Sequence, residues 1–99
     1  MKVVTYNYQH TVIYNLCKNM LMKRRFKIIS SDKKNGIIHA QSKFRLFRPS
    51  FSIHIKSQEV DINQTKLSVD FIPKNTNKRS AIIQDIEETK FIEAVNHFL

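Results

Sequence analysis

A single glycine in 99 residues rules out the glycine-rich loops that cradle phosphates in nucleotide-binding enzymes. A single cysteine, Cys17, rules out an internal disulfide. It falls on an apolar helical stripe and reads as a buried thiol packed like a small hydrophobe. No nucleophile has a partnered base, and no pair of carboxylates sits in an apolar setting, so neither an enzyme nor a cofactor is expected. No run approaches the roughly 20 apolar residues of a membrane span. The start, Met1-Lys2-Val3-Val4-Thr5, has no apolar run of signal-peptide length, which makes the cytoplasm the expected compartment.

Acidic residues are nearly missing from the first half. Residues 1–48 hold eleven Lys and Arg against one acid, Asp32, while the remainder holds six basic residues and seven acids. The net charge of +9 is therefore concentrated at one end of the chain. Such asymmetry points to an anionic partner or to a well-solvated basic surface. The length and ordinary hydrophobic content fit one domain, residues 1–99, which buries roughly 60–65% of the surface its unfolded chain exposes.

Periodicity supplies an architecture. Lys2 to Tyr8 alternates as a strand, with Val4, Tyr6 and Tyr8 on one side. From His10 to Arg25 the period becomes helical, with Val12, Ile13, Leu16, Cys17, Met20 and Leu21 on one face. Four alternating strands follow between Phe26 and Ile72. Their inward residues are Phe26, Ile28 and Ser30; Ile38, Ala40 and Ser42; Phe51, Ile53 and Ile55; and Leu67, Val69 and Phe71. Asn35-Gly36 supplies a tight reversal between the first two. Residues 75–84 read as a loop pinned by Ile82 and Ile83. Asp85 with Glu88 three residues later reads as a capping box opening a helix over 86–99, with Phe91, Ala94, Val95 and Phe98 on its inner face. The fold class is α+β: a five-stranded antiparallel sheet in the order β-α-β-β-β-β-α, two helices packed on one face, the other face open.

That order resembles the TATA-box-binding-protein-like fold and the smallest helix-grip domains. Within these it is similar to a group of short bacterial domains of unknown function. They share a helix, an x-G-x-I-x-A strand start, paired strands and an Asp opening the last helix, here Asn35-Gly36-Ile37-Ile38-His39-Ala40 and Asp85. The group's Asp-Trp-Gly-Lys-Asn-like stretch is replaced by Asp85-Ile86-Glu87-Glu88-Thr89, so no role of that stretch carries over. The resemblance implies a fold, not an activity, since related folds bind DNA, bind lipids or do neither.

Three constellations remain. Pairing Ile28–Ile38, Ile38–Ile55 and Ile55–Val69 places Lys27, His39, His54 and Asp70 in one outward row, though a two-residue offset is equally in phase. His39, His54 and Asp70 are metal-ligating types, and equally a solvated His–Asp row. Lys27, Lys43, Arg45, Arg48 and Lys56, interleaved with Phe44 and Phe47, form a basic and aromatic surface of the kind that holds single-stranded nucleic acid. Ile29, Ile37 and Ile72 point outward and offer a homodimer contact through the open sheet face. The expected function is a non-enzymatic binding or interaction module whose open basic face takes an anionic ligand, nucleic acid or a protein. The alternative is a small hydrophobic-ligand pocket between the sheet and the C-terminal helix, opposed by the bulk of Phe26, Phe51, Phe71 and Phe91.

Overall fold

The computed structural model describes residues 1–42, 50–74 and 78–99. In chain order the elements are β1 (Lys2–Tyr6), α1 (His10–Lys23), β2 (Lys27–Asp32), β3 (Ile37–Gln41), β4 (Phe51–Asp61), β5 (Gln64–Pro73) and α2 (Lys78–Phe98). The five strands form one antiparallel sheet in the spatial order β1-β5-β4-β3-β2. The α+β class and element order expected from the periodicity are those observed.

Alternation sorts the sheet into two faces. Ile38, Ile53, Ile55, Leu67, Val69 and Phe71 are each at most 2% exposed and share one cluster with Ile13, Cys17 and Leu21 of α1 and Phe91 and Val95 of α2. Both helices therefore cover the same face. Phe71 sits at the centre of the aromatic packing, with the rings of Phe26, Phe51 and Phe91 each 6.0 Å away. Edge and tilted contacts at that distance suit the ring quadrupoles. The Phe71–Phe91 contact joins α2 to the sheet.

The inner face of α1 is Ile13, Tyr14, Cys17, Met20 and Leu21. Val12, expected there, is 44% exposed, and Tyr14 takes its place. The helix ends at Lys23, two residues earlier than its basic last turn suggested. Arg25 lies outside it with φ 63°, donating to the Met22 carbonyl at 3.1 Å, while Phe26 donates to Leu21 at 3.0 Å. This is a Schellman closure with arginine where glycine is usual.

Strand register agrees with the expected pairs Ile38–Ile55 and Ile55–Val69. The pair Ile28–Ile38 does not form. Ile28 lies opposite Ala40, and a bulge between Ile28 and Ser30 then sets Ser30 opposite His39 and Ser31 opposite Ile38. One extra residue on an edge strand reverses the facing of everything after it. Ser30 thus turns outward rather than inward.

The largest correction concerns α2. It begins at Lys78, so Asp85 and Glu88 lie inside the helix and form no capping box. Residues 78–84 are helix, not loop, and Ile82 is exposed rather than pinned to the core. Asp85 instead holds the Lys2 ammonium at 2.6 Å, and that hydrogen bond keeps the lysine above its ordinary pKa range. Glu88 is 2% exposed and accepts the Phe71 backbone N–H at 2.8 Å and the Gln84 amide at 3.2 Å, with the Met1 amine 3.2 Å away. Phe98, expected inside, is 56% exposed and lies beneath the Lys23 ammonium, 5.1 Å from its ring centre.

Candidate functional site

The face opposite the helices is built by the outward residues of each strand. Cross-strand pairs place Ser30, His39, His54 and Asp70 side by side in one row. Three of the four expected members are there. Lys27 is not: β2 pairs with β3 two residues off the expected register, which sets it opposite Gln41, one row over, in a row continued by Ser52 and Ile72. Neighbouring side chains in such rows stand about 5 Å apart at Cβ.

His39 and His54 are both exposed, with ring centres 4.3 Å apart and planes inclined by 47°. Asp70 faces away from them in its polar contacts. Its carboxylate accepts the Gln84 amide at 3.3 Å and stands 3.7 Å from the Met1 amine. Among the described residues, no group of three or more His, Cys, Asp or Glu is arranged to hold a metal ion.

Lys56 lies opposite Ile37 and Ser68, one row beyond the histidine pair, and is exposed. Lys66, opposite Gln58 and Thr5, adds a third exposed cation to this face after Lys27 and Lys56. Sequence reasoning passed over Lys66, although the alternation that turns Leu67 inward also turns Lys66 outward. Lys43, Phe44, Arg45, Phe47 and Arg48 lie outside the described residues.

The outward isoleucines do not adjoin one another. Ile72 ends the Lys27 row, Ile37 sits between Asp32 and Lys56, and Ile29 occupies the bulge with no partner across the sheet. Each is a separate apolar spot on a polar face.

A second polar cluster sits at the start of α1 and was not foreseen. His10 Nε2 stands 2.9 Å from the Ser57 carbonyl oxygen and 3.1 Å from Ser57 Oγ, beside a cleft of about 260 Å³ flanked by Lys34, Lys56 and Glu59. A serine beside an imidazole is the arrangement of an activated nucleophile. The hydrogen bonds speak against that role here. A ring nitrogen facing a carbonyl must carry the proton, so Nε2 donates and has no lone pair free for the hydroxyl proton. The hydroxyl in turn donates to the Gly36 carbonyl at 3.3 Å. The cluster ties α1 to the β2–β3 turn. No faint pattern in the chain announced it, because His10 and Ser57 are 47 positions apart.

Cys17 is fully buried, and burial pushes its thiol up to about 12. A thiol so held is packing, not a nucleophile. Among the described residues no helix is long and apolar enough to cross a membrane. No protein-family model and no curated protein matches the chain.

Proposed function

We propose that this protein is a non-enzymatic binding module of the cytoplasm, a minimal relative of the TATA-box-binding-protein-like and helix-grip domains of bacteria. Its uncovered sheet face receives single-stranded nucleic acid. One observation carries the reading: both helices cover one side of the sheet, and the bare side presents the adjoining rings of His39 and His54 among the cations Lys27, Lys56 and Lys66. Lysines neutralise phosphates, and imidazole rings offer π-faces on which unpaired bases stack. Protein partners favour a central apolar anchor. The centre of this face is instead the histidine pair, with its apolar residues dispersed around it.

The test is fluorescence anisotropy with a labelled single-stranded oligonucleotide over a salt series. Binding should weaken as salt rises, and Lys56→Gln should reduce the slope of log K against log salt by about 0.7, the value for one lost phosphate contact on a single strand. No binding at low salt would overturn the reading. An acidic peptide bound more tightly than the oligonucleotide would assign the face to protein.

A further inference from the structure

We propose that the His39–His54 pair makes nucleic-acid binding proton-coupled: one proton enters the pair as a backbone phosphate docks against it, so affinity rises as pH falls. The inference rests on the reading of the open face given above and names the subsite and its regulation.

Two imidazoles with centres 4.3 Å apart would repel each other as cations, so a phosphate docked against them meets room for one added positive charge rather than two. Histidine is the side chain whose charge ordinarily changes between pH 5 and 8, which makes it the residue type at which a bound anion can draw in a proton. The surroundings decide what brings the proton in.

Along the row the neighbours are Ser30 on β2 and Asp70 on β5. In adjoining rows the charged groups are Lys27 and Asp32 on β2 and Lys56 on β4. Both nearby carboxylates already have other partners. Asp70 faces Gln84 and the Met1 amine, and Asp32 is held by the Asn35 side chain at 2.7 Å. Hydrogen bonding from Asn35 keeps the Asp32 carboxyl below the usual carboxylate range. Among the described residues the two helices, α1 and α2, lie on the other side of the sheet.

Lys27 and Lys56 therefore oppose a further positive charge in the unbound protein. A phosphate arriving between them reverses that balance, because an imidazolium N–H then donates to its oxygen. Proton and anion each raise the other's affinity by the same factor. One proton taken up on binding changes the binding constant by at most tenfold per pH unit.

Anisotropy titrations with the labelled oligonucleotide, at fixed salt and at steps from pH 8 to pH 5.5, provide the test. The wild-type protein should bind about three- to tenfold more tightly at the acid end. The double variant His39→Gln/His54→Gln, at two exposed sites, should bind more weakly for want of the stacking rings, keep at pH 8 the salt dependence its lysines supply, and lose the rise at acid pH. Calorimetry in buffers of different ionisation enthalpy should report uptake of a fraction of a proton, at most about half, by the wild type and none by the double variant. An equal pH response in both proteins would overturn the inference and move the proton to His10 or His97, while leaving the open-face reading in place. So would binding with a normal salt slope and no pH response. Absence of binding at every pH would overturn both.

Discussion

Ser57 donates its backbone N–H to the Gly36 carbonyl at 2.8 Å, and its hydroxyl returns to the same oxygen at 3.3 Å. The glycine has φ 67°, and a Cβ there would overlap the Ser57 carbonyl and His10 Nε2 and stand 2.7 Å from Ser57 Oγ. The chain's only glycine is thus placed where both backbone conformation and space forbid a side chain. Gly36→Ala should lower unfolding free energy by about 2–4 kcal/mol in urea melts, combining left-handed strain with displacement of the His10–Ser57 contacts. A loss under about 0.5 kcal/mol, the range of ordinary surface substitutions, would contradict that packing.

Arg25 presents the opposite case. It adopts nearly the same backbone conformation, φ 63°, with a β-carbon in place. Nothing in its Schellman hydrogen bonds uses the side chain. Arg25→Gly should stabilise the protein by about 0.5–1 kcal/mol, relief of strain exceeding the added entropy of the unfolded chain. A lower melting temperature in the variant would mean the guanidinium has a structural role.

Glu88 is the one buried carboxylate in the described core, and it closes the open end of the sheet where β1 stops short of Phe71. Glu88→Ala would leave the Phe71 N–H buried without a partner. A cost of about 2–4 kcal/mol is expected. Glu88→Gln retains an accepting oxygen and should cost only about 1 kcal/mol. Equal losses in the two variants would show that charge, not the hydrogen bond to Phe71, decides the effect.

Cys17 should be silent toward thiol reagents in the folded protein at pH 8 and react at once in denaturant. Its sign with pH follows from burial. The folded thiol holds its proton up to about 12, above the range where an unfolded cysteine ionises. Its contribution is complete below that unfolded range and is lost as pH rises through it toward 12. Rapid labelling of the native protein would contradict the packing of α1 on the sheet.

Much of this arrangement could be read from alternation alone, and the failures have definite causes. Ile38, Ile55 and Val69 fall in one buried row because β-branched residues in phase leave few other registers, and His39, His54 and Asp70 follow them on the opposite face. The bulge at Ile29 left no mark, since Lys27-Ile28-Ile29-Ser30 fits either phase. The first turns of α2 were hidden for a different reason. Their inner stripe is polar: Ser80 and Glu88 are buried, with Gln84 between them half-buried. A hydrophobic-period search passes over such a stripe. Asp85 and Glu88 then imitated a helix start because capping residues and interior residues are the same amino acids. The basic residues from Lys43 to Arg48, prominent in the sequence, lie outside the described residues.

The most direct measurement is an amide chemical-shift map of labelled protein titrated with single-stranded oligonucleotide. The account places the largest changes at His39, His54, Lys56, Lys66 and Ser68, with the outward residues of α1 and α2 unmoved. Changes centred on Val12, Met22, Ile82 or Ile86, with the histidine row silent, would contradict it.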